Sequence, residues 1–257
     1  SHGVGQLGLG QVFRVRREAD GVRLLPVRDR PPVRLADLVG YRQQKEQLVR
    51  NTEAFLHGRG GNNVLLYGDA GTGKSTSVQA IANEYAAKGL RLIEVYKEQY
   101  DLIPALLRQI KGRNYRFLLF LDDLSFEENE TSYKYLKAVM EGGAEAPPEN
   151  VRICATSNRR HLIKETLSDR SGDDIHEADT RQELMSLSAR FGLTVTFQQP
   201  DKDRYDRILL ELAKQYNVQM PSDQLFIKGA AFALRAGGRS PRVAKQFVEL
   251  LAAGVKV

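Results

Sequence analysis

The chain has 257 residues, 42% of them hydrophobic and 27% charged, with a formal net charge of +6. That composition is average for a soluble globular protein and excludes a disordered, collagen-like or coiled-coil chain; the length suits one large α/β domain or a medium domain with a small companion. The best apolar runs, Asn63–Tyr67 and Phe117–Leu121, fall well short of the roughly 18–20 residues needed to span a bilayer, so no membrane partner is expected.

The opening SHGVGQLGLG has no charged n-region and no apolar h-region, which reads against a secretory signal, and Ser1 in place of methionine suggests missing upstream residues. The single cysteine, Cys154, excludes an intramolecular disulfide and fits a reducing, cytoplasmic compartment. Lying in the apolar stretch Val151–Ala155, it reads as an inert buried thiol. Thiolate metal sites are thereby excluded, and His2, His57, His161 and His176 are too scattered to form a ligand motif.

Charge is unevenly spread. Residues 1–50 hold ten Lys and Arg against five Asp and Glu, and the remainder contributes only +1. Arg14, Arg16, Arg17, Arg23, Arg28, Arg30 and Arg34 form a basic stripe that could attract a polyanion such as nucleic acid. The alternative is a solvated hairpin edge. Phe13 and Val15 alternate with Arg14 and Arg16, Ala19-Asp20-Gly21 supplies a turn, and Val22, Leu24 and Leu25 supply apolar partners on a second strand.

Residues 11–34 therefore read as strand, turn and strand, closed by Arg30-Pro31-Pro32. Residues 35–57 carry helical periodicity through Leu35, Leu38, Leu48 and Phe55, ended by Gly58-Arg59-Gly60-Gly61. Strands follow at 62–67, 90–96, 115–121, 150–156 and 193–198 with helical stretches between them, a pattern that implies a parallel sheet covered on both faces. Beyond Asp201 only helix patterns remain, at about 202–216, 222–236 and 241–254. The expected organisation is a basic N-terminal segment over 1–34, an α/β nucleotide-binding domain over 35–200 and a small helical lid over 201–257.

Gly68-Asp69-Ala70-Gly71-Thr72-Gly73-Lys74-Ser75 matches G-x-x-x-x-G-K-S/T in full. The strand Asn63–Tyr67 enters it, and an amphipathic helix from Ser75 to Ala87, including Thr76, leaves it. Polyphosphate must be wrapped by backbone N–H groups, so glycines allow close approach and positive φ, and the following helix directs its positive end at the phosphates. Lys74 reaches the β and γ phosphates and the Ser75 hydroxyl ligates Mg²⁺. The apolar strand Tyr115–Leu121 ends in Asp122-Asp123, which places a carboxylate beside the loop; Asp122 is expected to hold Mg²⁺ through water.

With these motifs joined, the chain resembles an AAA+ ATPase over residues 35–257. The strings YGDAGTGKS, DDLSFE and ATSNRRHL are similar to a bacterial AAA+ family of unassigned function. The resemblance implies a P-loop NTPase α/β fold with a five-stranded parallel sheet in order 5-1-4-3-2, a helical lid, and ATP sites completed at subunit junctions of a homo-oligomer. It implies that Val39-Gly40-Tyr41 contacts adenine, and that Asn158, 36 residues after Asp122, is the polar residue called sensor 1. Arg190, in Leu187-Ser188-Ala189-Arg190-Phe191-Gly192, resembles the arginine-finger segment of initiator-type relatives. A permanent planar cation there would stabilise the phosphoryl-transfer transition state. A surface arginine closing a helix is the alternative, and Arg181 is a weaker rival. Gly238-Arg239-Ser240-Pro241-Arg242 resembles the lid's sensor 2. Ser240 reads as N-cap, Pro241 as first helical residue, and Arg242 as the phosphate contact or else a solvated side chain.

One departure matters. Most AAA+ ATPases end this strand in Asp-Glu, whereas the second acid here is Asp123. Either Asp123 or Glu127 is the candidate water-activating carboxylate, unless Glu127 merely occupies the first turn of a helix capped by Ser125-x-x-Glu128. ATP hydrolysis, potentially slow, is the leading expectation. A nucleotide-dependent nucleic-acid-binding module and an ATP-occupied switch are the rivals; a small-molecule kinase is least favoured. The sequence does not reveal the client.

Overall fold

The computed structural model describes residues 6–29, 32–126, 132–142, 147–158 and 186–255. Its centre is a seven-stranded sheet formed by β1 (Val12–Glu18), β2 (Gly21–Pro26), β3 (Val64–Gly68), β4 (Leu90–Glu94), β5 (Arg116–Leu121), β6 (Val151–Ser157) and β7 (Leu193–Phe197), in spatial order β2-β1-β4-β5-β6-β3-β7. The helices are α1 (Arg42–Leu56), α2 (Lys74–Tyr85), α3 (Ile103–Ile110), α4 (Tyr133–Met140), α5 (Lys202–Gln215), α6 (Ser222–Arg235) and α7 (Pro241–Ala252), and residues 186–189 are also helical.

Taken from β3 onward, the parallel strands run 5-1-4-3-2 across the sheet, the order the resemblance implies. The count of five is corrected to seven because the N-terminal hairpin does not stand apart. β1 pairs parallel with β4 at Val12, Phe13 and Arg14, and β2 pairs antiparallel with β1. The attachment follows from alternation. Phe13 and Val15 of β1, with Leu24 of β2, form one buried hairpin face that joins the α3 and α4 layer, Val12 is buried on the other face, and Arg14, Arg16 and Arg17 stay exposed.

Side-chain alternation along the central strands also sorts the core into two layers. Phe117, Leu119 and Leu121 of β5 join α3 and α4 on one face, with Phe13, Leu106, Ile110, Tyr133 and Leu136. Leu118 and Phe120 point to the other face, against Leu48 and Phe55 of α1 and Val78, Ile81 and Tyr85 of α2. Both faces are covered, as runs of apolar strand residues require. Cys154 is fully buried in the second layer, and burial pushes its thiol up to about 12, in keeping with an inert packing role.

The continuous helix expected over 35–57 is two pieces. Leu35–Asp37 forms a 3₁₀ turn, and α1 begins only at Arg42 because Gly40 (φ 81°) and Tyr41 (φ 52°) are left-handed in succession and break the helix. The three C-terminal helices pack around their own cluster of Tyr205, Leu209, Leu225, Ala244 and Phe247, with Val39 against it. Asp201 caps α5 by accepting from the Arg204 N–H (2.8 Å), and Ser240 caps α7 by accepting from the Val243 N–H (3.2 Å), each cap worth about 1 kcal/mol. Gly229 lets α5 approach α6 closely: a Cβ there would lie 2.5 Å from Leu209 Cδ1.

Candidate nucleotide-binding site

The Gly68–Ser75 loop leaves β3 and enters α2 with Gly68, Gly71 and Gly73 at φ 132°, 75° and 95°. Gly68 is held to glycine twice over, since a Cβ would sit 2.1 Å from the Phe197 carbonyl oxygen. Asp69 fastens the loop to the end of β7: its N–H donates to Phe197 O (2.9 Å) and its carboxylate accepts from the Gln199 N–H (2.6 Å). Gly68 and Asp69 thus hold the loop from behind. The residues Ala70, Gly71, Thr72, Gly73, Lys74, Ser75 and Thr76 line a cleft of about 910 Å³ at the C-terminal edge of the parallel strands.

Lys74 is buried, and its ammonium donates to Gly68 O (2.7 Å), Asp69 O (2.7 Å) and Asn158 Oδ1 (2.9 Å). Burial pulls its pKa below the ordinary value, against the opposing pull of the Asp69, Asp123 and Asp122 carboxylates. Asn158 turns its other end to the acids, Nδ2 donating to Asp123 Oδ1 (3.0 Å). The Ser75 hydroxyl donates to Asp122 Oδ1 (2.6 Å). Lysine, amide, two carboxylates and hydroxyl, drawn from two strand ends and one helix start, therefore meet in one polar cluster.

Serine hydroxyl and carboxylate are hard oxygen donors, the set that suits Mg²⁺ with phosphate and water completing its shell. No cluster of three or more His, Cys, Asp or Glu with metal-binding geometry occurs among the described residues, so protein side chains alone do not form a cage.

Opposite the loop, the cleft is walled by Val39, Gly40 and Tyr41 and by the lid. Tyr41 stacks on Phe197 (centroids 5.1 Å apart) and donates to Gln198 O (2.5 Å), and burial raises its phenol to about 12. Arg242 lines the cleft from the first turn of α7, where its backbone N–H donates to Gly71 O (3.2 Å). The Gly238–Arg242 segment and the glycine loop are thus in direct contact, although 171 positions separate Gly71 from Arg242 in the chain.

Arg190 is not brought to this cleft. It precedes β7, whose first residue, Leu193, pairs with Val64 at the start of β3, so it lies at the sheet edge away from the loop. There its guanidinium pairs with Glu141 at the end of α4 (3.0 Å). Glu127, Glu128 and Arg181 lie outside the described residues. Thr156 is the site residue that sequence reasoning missed. It is buried, its hydroxyl donates to Asp122 Oδ1 (2.6 Å) and it accepts from the Asp123 N–H (2.9 Å). A threonine near the end of the β6 sequence VRICATS, two positions before Asn158, was the available signal.

Sheet order, glycine loop, strand-end acids and helical lid together define an AAA+ P-loop NTPase fold. The chain belongs to the family described as "Protein of unknown function (DUF815)", which it matches over residues 10–255. Among solved structures it is similar to the Thermotoga maritima RuvB Holliday junction branch migration motor, at 17% identity and a TM-score of 0.55 over 87% of this chain and 67% of that one. It is also similar to the FIGL-1 AAA domain in complex with ADP, at 17% identity and a TM-score of 0.58 over 86% and 73%. At such identities the likeness speaks for the fold alone. A replication factor C large subunit from Methanococcus maripaludis strain C6 is 33% identical over 99 residues, 36% of this chain and 20% of that protein. The chain thus spans about a fifth of the length of the curated relatives it matches. No described helix is long and apolar enough to cross a membrane.

Proposed function

We propose that the protein binds and hydrolyses Mg-ATP at junctions between its own subunits and uses the cycle to change the conformation of a client. The observation that carries this reading is the bridge from Lys74 through Asn158 to Asp123, beside the Ser75–Asp122 pair. Loop N–H groups and Lys74 bind the triphosphate, the ammonium exchanging carbonyl and amide oxygens for phosphate oxygens. Adenine lies toward Val39 and Gly40, and Arg242 closes over the phosphates from the lid. Ser75 and Asp122 would hold Mg²⁺, which when bound neutralises charge on the β and γ phosphates. Water, oriented by Asn158, attacks the γ-phosphorus as the bond to the bridging oxygen of ADP breaks; its proton passes to Asp123 and then to the released phosphate.

Arg190 acts on the neighbouring subunit. Its place away from its own loop supports this, and its bond to Glu141 is cheap to break, because side chains 43% and 34% exposed make an ion pair worth about 1 kcal/mol or less. The test is ATP turnover per subunit as protein concentration is raised, with Lys74→Ala as blank. A rate that climbs with concentration is expected. A flat rate well above the blank would overturn the shared site, and a rate equal to the blank with ATP binding intact would favour the switch reading.

A further inference from the structure

We propose that Thr156 is the positioning residue that sets both acids of the site, so that the strength of Mg²⁺ coupling to nucleotide depends on its hydroxyl; the proposal rests on the ATP reading above. β5 leaves the sheet after Leu121, whose partner on β6 is Ala155. The next rung would pair Asp122 with Thr156. Instead the chain turns away, and Thr156 takes over the pairing with side chain and backbone alike. Its Oγ1 accepts from the Asp123 N–H (2.9 Å), its carbonyl accepts from the Leu124 N–H (2.7 Å), and its Oγ1–H donates to Asp122 Oδ1 (2.6 Å).

Two consequences follow. Asp123 is held at φ 53°, a left-handed conformation that costs a non-glycine residue energy and that the hydrogen bonds to Thr156 on either side of it secure. That conformation carries its carboxylate to the Asn158 amide. Asp122, for its part, receives the Ser75 and Thr156 hydroxyls on the same oxygen, Oδ1. With both hydroxyls on Oδ1, Oδ2 is the oxygen left to accept from water on a metal that Ser75 would hold. A threonine hydroxyl has one proton to give, and here that proton goes to the metal-side acid while a lone pair takes the N–H of the other. Thr156 itself is 2% exposed and anchored in register against Leu66 of β3, so the geometry is imposed from the sheet and not from solvent. Partners one step removed from a metal orient its ligands in this way.

The test compares wild type, Thr156→Val and Thr156→Ser by titrating a fluorescent ATP analogue into each in EDTA and again across a Mg²⁺ series, with thermal midpoints recorded. Valine keeps the shape and removes the hydroxyl; serine keeps the hydroxyl. For Thr156→Val the Mg²⁺ concentration at half-effect should rise about tenfold and turnover fall about tenfold, while affinity in EDTA stays within about twofold; Thr156→Ser should recover both to within about threefold. Wild-type Mg²⁺ dependence in Thr156→Val would overturn the proposal. So would equal shifts in both variants with equal loss of thermal midpoint, which would make Thr156 a packing residue only. A wild type that binds no nucleotide in either condition would overturn the ATP reading and this proposal together, whereas nucleotide-binding wild type with unaltered variants would overturn this proposal alone.

Discussion

Two groups of cations in this molecule have opposite partners. On the hairpin, Arg14 pairs with Glu94, Arg17 with Asp101, and Arg16 and Arg23 both reach Glu18, all at 2.6–3.5 Å and all with the arginine more than half exposed. In the cleft, Lys74 is buried against two carbonyls and an amide oxygen, and no ion pair joins Lys74 or Arg242 to a carboxylate among the described residues. The first group is charge already neutralised at a solvated surface, where such pairs contribute little. The second is charge whose direct hydrogen bonds go to dipoles in a partly desolvated cleft, where an arriving anion can replace those dipoles at the cation. Net charge alone had pointed to the hairpin; the pairing points to the cleft.

The largest expected effect breaks the comparison from outside, through a cation that belongs to neither group. Arg190→Ala should lower turnover by about 10³-fold while leaving nucleotide affinity unchanged, because a finger acts on transition-state charge and not on ground-state binding. Mixing experiments check the assignment. Adding a Lys74→Ala chain, which still carries Arg190, should restore part of the activity of Arg190→Ala, and a failure to do so would return Arg190 to its own subunit. Next in size is Asp123→Asn, expected to cost at least about 10²-fold in turnover. Asparagine tolerates the left-handed backbone as aspartate does and can still accept from the Asn158 amide, so the fold and the bridge to Lys74 should persist with only the proton acceptor removed. Unchanged turnover would move the water-activating role to Glu127.

Much of the cleft was legible because its motifs are local. The glycine loop, the acids ending an apolar strand and the Ser240-Pro241 cap are each fixed within a few residues, and the alternation of strands and helices implied the parallel sheet. What escaped was long-range. Thr156 reads as an ordinary β-former until the turn 34 positions earlier is placed beside it. The hairpin's alternation announced a buried face without saying that β1 would pair with β4 and bring that face into the α3 layer. Leu35 and Leu38 kept a helical period across Gly40 and Tyr41, where a backbone in the left-handed region, not hydrophobicity, ends the regular structure. Likewise the contact between Gly71 and Arg242 depends on where the lid sits over the sheet, and no spacing in the chain encodes that.

The smallest expected effect tests the hairpin half of the comparison. Arg16→Ala and Arg23→Ala together remove both partners of Glu18, whose pairs are 3.2 and 3.5 Å long with side chains 43–55% exposed. Chemical denaturation should show a loss of about 1 kcal/mol or less. The same double variant decides whether the basic stripe contacts nucleic acid. If the arginines are engaged by carboxylates, retention of a short DNA duplex at low salt should match wild type, and the dependence of binding on salt should be unchanged. If they contact phosphates, the slope of log affinity against log salt should shrink by about two, one for each cation removed. That outcome would mean the Glu18 pairs give way to a stronger anion, and the hairpin would then stand with the cleft as a second site of available charge.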